Sequence, residues 1–177
     1  MPSGPESRPS VETPSPTADR GFVAGLRPIP SVIPGTVGAP DPRPAADIVG
    51  VDTAGRSVII RVDRGSGQLL LVFLSTDCDG CEAFWSRFRQ PGDAGLPDDV
   101  STVIITRGPE AVVPAEVAAT SEGIIGVPVI MSRRAWIDYR VTGYPFLVLV
   151  DVASRSVIGE AVGMGWGDVT ALLRSGA

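Results

Sequence analysis

Short apolar runs separated by turn residues recur along the chain from about Ala45 to the C-terminus. The run Leu69–Leu74 is uninterrupted. A run this short and this apolar, followed by turn residues, is typical of a strand buried on both faces inside a parallel sheet. Shortly after it, Phe84 and Phe88 lie four positions apart, which places them on one face of a helix. The pattern predicts a buried strand that passes into a helix within a few residues.

The other runs predict an alternation of strands and helices, with turns marked by glycine and proline. In chain order they are a hairpin of Asp47–Asp52 and Ser57–Val62, a strand at Val100–Thr106, a helix at Pro109–Glu122 weakened by Pro114, a short edge strand at Gly126–Met131 carrying Pro128, a short helix at Arg133–Val141, a hairpin of Phe146–Asp151 and Ser156–Val162, and a closing helix at Gly167–Ser175. This order predicts an α/β domain with a central mixed sheet and helices on both faces.

The first 44 residues differ in composition from the rest of the chain. Met1–Pro44 holds eleven of the 17 prolines, mixed with serine, threonine, glycine and charged residues. Such a segment buries too little apolar area to offset the entropy lost on ordering. We therefore expect a proline-rich, disordered or polyproline-like linker at residues 1–44 and one folded domain at residues 45–177.

The two cysteines of the chain stand two residues apart, directly after the buried strand. Asp77 is a favourable N-cap residue, so Cys78 is expected in the first turn of the helix and Cys81 one turn further on. Unpaired amides and the positive end of the helix dipole favour a thiolate there. We expect Cys78 to be a nucleophile and Cys81 a resolving thiol that can close a short disulfide ring.

Two further interpretations of the cysteine pair remain open at this stage. The pair can be a structural disulfide in a redox-inactive binding or scaffold domain. A metallochaperone is a weaker alternative, because histidine is absent and two thiolates alone do not complete a metal site. Asp77 and Asp79 place two negative charges beside Cys78, which opposes ionisation and indicates a dithiol poised on the reducing side.

At Cys78-Asp79-Gly80-Cys81 after a buried strand, and at Val141-Thr142-Gly143-Tyr144-Pro145 before another, the sequence resembles the thioredoxin superfamily. The resemblance is stronger to its bacterial envelope branch of tethered thiol:disulfide reductases, including the cytochrome-maturation and methylamine-utilisation types. It covers about Ala45 to the C-terminus and implies a thioredoxin-like fold with an N-terminal β-hairpin extension. It also implies a cis Pro145 facing the cysteines.

The resemblance implies a dithiol–disulfide oxidoreductase that exchanges with protein disulfides and needs no cofactor. The substrate would touch Tyr144 and Pro145, together with Asp77, Asp79 and Gly80 around the cysteines. Thioredoxin has a buried carboxylate in its central strand, and Val72 occupies the matching position here. Trp85 on the predicted helix either packs in the core or borders the site.

Charge and hydropathy limit the partners of the chain. The net charge is −5 and the sequence pI about 4.7, so neither nucleic acid nor an anionic membrane surface is favoured. No apolar run is long enough for a membrane span, and the first residues lack the pattern of a signal peptide. The family resemblance nevertheless implies an extracytoplasmic location in the cell envelope, with protein thiols and a redox partner, and we expect a membrane anchor upstream of this sequence.

Overall fold

The computed structural model describes residues 43–90 and 95–176, which form strands and short helices in alternation. The strands are β1 (Arg43–Pro44), β2 (Ile48–Asp52), β3 (Ser57–Ile60), β4 (Gln68–Phe73), β5 (Val100–Thr106), β6 (Val129–Met131), β7 (Phe146–Asp151) and β8 (Ser156–Val162). The helices are α1 (Asp79–Arg89), α2 (Pro114–Thr120), α3 (Arg133–Asp138) and α4 (Trp166–Ser175). The predicted linker lies outside the described residues, except for Arg43 and Pro44 in β1.

The described strands form one sheet in the order β1-β8-β7-β4-β5-β6-β2-β3. β4, β5 and β6 run parallel, and the other neighbouring strands are antiparallel. The predicted mixed sheet with an N-terminal hairpin is confirmed. Parallel strands end at the same edge of a sheet, and an antiparallel neighbour begins there. The residues that follow β4 and β5 therefore lie at the same edge as those that precede β7.

The central strand β4 is buried on both faces, as its sequence predicted. Alternate side chains of a strand point to opposite faces, so β4 contributes to two apolar clusters. Leu69, Leu71 and Phe73 pack on the face covered by α3, and Leu70, Val72 and Leu74 pack on the face covered by α1 and α4. Each buried side chain of this size stabilises the fold by about 1.5–3 kcal/mol. The two clusters fix the sheet edge from which the next segment departs.

The helix predicted at Pro109–Glu122 is shorter than expected. α2 begins only at Pro114 and ends at Thr120, and a proline occupies its first turn. Proline has no backbone N–H and a φ suited to a helix start, so Pro114 begins this helix instead of weakening it from within. The residues between β5 and α2 consequently form a loop at the sheet edge described above.

The strand predicted at Gly126–Met131 is also shorter, and it is not an edge strand. β6 covers only Val129–Met131 and lies between β5 and β2. Pro128 precedes it and accepts a hydrogen bond at its carbonyl oxygen from Ile104 N–H, at 2.9 Å. The prediction was wrong because the β2–β3 hairpin, distant in sequence, pairs with the outer side of β6.

Candidate active site

The cysteine motif lies where β4 passes into α1, at the sheet edge shared with the end of β5. Leu74 N–H extends the ladder by donating to Ile105 O at 3.0 Å. α1 then begins at Asp79 with Cys78 as its N-cap, so the predicted N-cap at Asp77 is wrong. The physical reason is that the Asp77 carboxylate accepts a hydrogen bond from the Ser75 hydroxyl and is not available to the helix.

The two cysteines occupy different environments although they are in contact. Cys78 is half-buried, and its Sγ accepts a hydrogen bond from Cys81 N–H at 3.2 Å. Cys81 is fully buried, and its Sγ accepts from Ser75 N–H at 3.4 Å. Both side chains are free thiols in this structure. An incoming disulfide can therefore reach the sulfur of Cys78, while Cys81 is positioned behind it.

Burial is the main cause that raises the pKa of the Cys81 thiol, followed by its hydrogen bond with Cys78. The negative charge of Asp77 acts in the same direction. The pKa of Asp77 itself is lowered, first because the Ser75 hydroxyl donates to the carboxylate. Cys81 therefore stays protonated in the folded dithiol, and Asp77 stays charged beside it.

Selective alkylation is the first prediction. In the folded, reduced protein at about pH 8, iodoacetamide is expected to modify Cys78 and leave Cys81 unmodified. Burial keeps the reagent away from Cys81. The pKa of Cys81 also lies above its ordinary value of 9.0, so the thiol stays protonated and unreactive even when the pH rises through that value. Mass spectrometry of proteolytic peptides measures this, with denatured protein as the control in which both cysteines react. Equal labelling of both cysteines in the folded protein would contradict it.

Trp85 is a core residue directly under the site. Its side chain is 1% exposed, and its Nε1–H donates to Ser75 O at 2.9 Å. The sequence left open whether Trp85 borders the site or packs in the core, and the structure decides for the core. Phe84 and Phe88 are buried on the same face of α1, as predicted. The indole thus ties α1 to the loop that carries the cysteines.

The second sequence motif lies against the first. The Tyr144–Pro145 peptide bond is cis. A Cβ atom placed on Gly80 would lie 3.5 Å from Pro145 Cδ and 3.8 Å from Cys78 Sγ. Gly80 therefore borders both Pro145 and the sulfur of Cys78, and a side chain at this position would contact both. On the other side, Pro145 O accepts from Gly163 N–H at 2.9 Å.

Two neighbours of the site were not anticipated from the sequence. Gly163 follows β8, and a Cβ atom there would lie 2.7 Å from Phe84 Cζ. Arg107 follows β5, and its guanidinium lies over the rings of Trp136 and Tyr144. The sequence held one sign that Arg107 lies near the cysteines. Arg107 directly follows the strand next to β4, and adjacent parallel strands end at the same edge of a sheet.

A groove of about 640 Å³ runs beside the cysteine loop. Its lining includes Asp77 and Tyr144 together with three charged residues that follow β5. These are Arg107 and Glu110 in the loop after β5, and Glu116 in α2. Tyr144 is half-buried in its wall, whereas Asp79 and Gly80 are exposed at the start of α1. Of the seven residues selected from the sequence, Asp77 and Tyr144 line this groove, and the other five belong to the two segments beside it: Cys78, Asp79, Gly80, Cys81 and Pro145.

The described residues offer neither a membrane-spanning helix nor a cluster of metal ligands. No helix among them combines the length and the apolar character needed to cross a membrane. Nor do three or more cysteine, aspartate or glutamate side chains come together there in a group that could hold a metal ion.

Comparison with solved structures gives the fold. A thiol:disulfide interchange protein of the thioredoxin family from Chlorobium tepidum aligns over 77% of this chain and 97% of its own, with a TM-score of 0.58 and 22% identity. The exposed lipoprotein thioredoxin Etrx1 from Streptococcus pneumoniae aligns over 73% and 98%, with a TM-score of 0.55 and 17% identity. A thioredoxin-like protein from Aeropyrum pernix aligns over 73% and 89%, with a TM-score of 0.56 and 12% identity. The chain has a thioredoxin-like fold.

Neither the family models nor the curated proteins searched match this sequence. The thioredoxin-like fold predicted from the two motifs is nonetheless confirmed. Within this fold β4 carries no acidic side chain. Val72, at the position where thioredoxin has a carboxylate, is fully buried in the apolar cluster under α1. The site therefore combines a thioredoxin-like arrangement of elements with an apolar central strand.

Proposed function

We propose that the protein is a dithiol–disulfide oxidoreductase that uses Cys78 and Cys81. One observation carries the proposal: Cys78 is partly exposed at the N-terminus of α1, and the buried Cys81 lies in contact with its sulfur three residues on. Cys81 N–H donates to Cys78 Sγ at 3.2 Å, which stabilises negative charge on that sulfur. The names of the structural neighbours support the same general reaction.

The reaction consists of two exchanges. The Cys78 thiolate attacks one sulfur of a substrate disulfide, so that a mixed disulfide forms and the other substrate sulfur leaves as a thiolate. Cys81 then loses its proton and attacks Cys78 Sγ, which releases the second substrate sulfur. The substrate gains two electrons, and the cysteine pair becomes a disulfide. A separate thiol donor must restore the dithiol before the next cycle.

The groove beside Cys78 supports a polypeptide substrate. Tyr144 and Pro145 lie at the amino end of β7, where an extended chain can pair with the backbone of Tyr144 in the manner of an added strand. Asp77, Asp79 and Gly80 would border the same chain on the other side of the sulfur. We therefore assign protein disulfides, rather than small disulfides, as the substrate class.

We also infer that the protein works outside the cytoplasm, in the envelope branch that its two motifs resemble. The printed name of one neighbour describes an exposed lipoprotein thioredoxin. Protein disulfides form and persist in oxidising compartments outside the cytoplasm. An enzyme that reduces protein disulfides therefore finds its substrates there. The redox partner would be a thiol donor on that side.

Trapping with Cys81→Ser tests the proposal. Without the resolving thiol, the mixed disulfide on Cys78 cannot be released, so proteins from the source cell are expected to accumulate as disulfide-linked adducts. Adducts are resolved by non-reducing electrophoresis and identified by mass spectrometry. The double variant Cys78→Ser, Cys81→Ser is the matched control and should trap nothing. If the single and double variants give the same result, the scaffold interpretation replaces this one.

A further inference from the structure

Arg107 forms a three-part stack with two aromatic residues at the edge of the site. Its guanidinium carbon lies 4.9 Å from the ring centroid of Trp136 and 5.9 Å from that of Tyr144. The two rings meet edge to face, with centroids 5.9 Å apart and an angle of 76° between their planes. A cation over aromatic faces at these distances is attracted by the electrons of the rings.

Few other polar contacts hold these rings in place. The Nε1–H of Trp136 is buried and makes no hydrogen bond within the described part of the chain. Across the same residues, none of the side-chain hydrogen bonds involves Tyr144, and Arg107 forms no ion pair, although Asp77, Glu110 and Glu116 line its groove. The orientation of Tyr144 therefore depends on ring packing and on the guanidinium above it.

The backbone of Arg107 is well placed to act as the fixed part of the stack. It directly follows β5, whose last residue pairs with Met131 of β6. Thr106 O also accepts from Ser132 N–H at 3.1 Å. Tyr144, in contrast, lies in a loop, and its next residue is Pro145 beside Cys78.

We propose that Arg107 is a positioning residue that holds Tyr144, and with it the backbone before Pro145, in place for a polypeptide substrate. This role rests on the proposed disulfide exchange at Cys78. A peptide disulfide needs the Tyr144 backbone for pairing, whereas a small disulfide needs only access to the sulfur of Cys78. Arg107 therefore determines selectivity for disulfides within polypeptides and leaves the sulfur chemistry unchanged.

The test compares two uncharged disulfides, so that the guanidinium of Arg107 cannot attract or repel either substrate through a substrate charge. One is a neutral peptide closed by a single disulfide, and the other is bis(2-hydroxyethyl) disulfide. Prereduced full-length protein is mixed with each, and the half-saturating concentration and limiting rate of the first exchange are measured separately. Arg107→Met keeps the reach of the side chain and loses its charge. Arg107→Lys keeps the charge and loses the planar group that stacks on rings.

For Arg107→Met, the half-saturating concentration of the peptide is expected to rise about two- to fivefold, because Arg107 is exposed and its contact with the rings is worth about 0.5–1 kcal/mol. Its limiting rate should stay within about twofold, and bis(2-hydroxyethyl) disulfide should react as with the unmodified protein. Arg107→Lys is expected to give an intermediate value. Arg174→Met removes the same charge at the opposite end of the sheet, in the last turn of α4, and should change neither reaction.

Two results would overturn the role of Arg107. Equal slowing of both disulfides by Arg107→Met would indicate an effect on Cys78 itself, and unchanged reaction of the peptide would mean that Tyr144 needs no guanidinium. Both results would leave disulfide exchange intact. If the unmodified protein reduced neither disulfide, the proposed function would fail, and the role of Arg107 would fail with it.

Discussion

Cys78→Ser is expected to lower the rate of disulfide reduction by about a thousandfold or more, to the uncatalysed background. A hydroxyl does not ionise at neutral pH and cannot form the mixed disulfide, and the buried Cys81 cannot replace the lost nucleophile because substrates do not reach it. The rate is measured with prereduced protein and a fluorogenic peptide disulfide, and the unmodified protein is measured in parallel.

The same substitution should leave the fold intact, which makes the loss of activity interpretable. Cys78 is the N-cap of α1, where its sulfur accepts from Cys81 N–H. Serine is a preferred N-cap residue and its oxygen can accept the same hydrogen bond. The free energy of unfolding in urea should therefore stay the same or rise slightly. An active Cys78→Ser variant would exclude Cys78 as the attacking sulfur.

Trp85→Ala is expected to cause the largest loss of stability, about 3–5 kcal/mol in the free energy of unfolding. The substitution removes a fully packed indole between α1 and the sheet and leaves Ser75 O without its donor. Trp85→Phe, which keeps most of the ring packing but not the hydrogen bond, should cost less, about 1–3 kcal/mol. Urea unfolding followed by circular dichroism measures both variants.

The comparison of the two Trp85 variants separates packing from hydrogen bonding. If Trp85→Ala unfolded at the same urea concentration as the unmodified protein, the indole could not be the link between α1 and the cysteine loop. Ala135→Gly is not a suitable control. Ala135 packs in the other apolar cluster, and glycine would also lower the stability of helix α3. Phe88→Leu is the better control, since it changes a ring on the same face of α1 with a smaller loss of volume.

The parts of the site predicted correctly from sequence depend on local signals. The apolar run of β4 was sufficient to predict the buried strand and the helix that follows it, although the helix begins one residue later than an Asp77 cap implies. The hairpin of β7 and β8 was predicted with the observed bounds, because its apolar runs are separated by a clear turn.

The errors arose where one residue had two possible partners or where the partner was distant in sequence. Asp77 can cap a helix, but the nearby Ser75 hydroxyl engages its carboxylate. Pro128 is typical of an edge, yet β6 is covered by a hairpin from the other end of the domain. The stack of Arg107 on Trp136 and Tyr144 joins the residue after β5, helix α3 and the loop before β7, and no periodicity in the sequence predicts such a contact.

The apolar character of β4 also affects how the site handles protons. Among the described residues, the buried polar side chains are all hydroxyls of serine or threonine, and none is a carboxylate. In the proposed exchange, Cys81 must lose a proton to close the ring with Cys78, and no buried carboxylate accepts it. The proton instead passes to the exposed Asp77 carboxylate or to a base in the surrounding medium. The rate of ring closure should therefore vary with the acidity of the compartment.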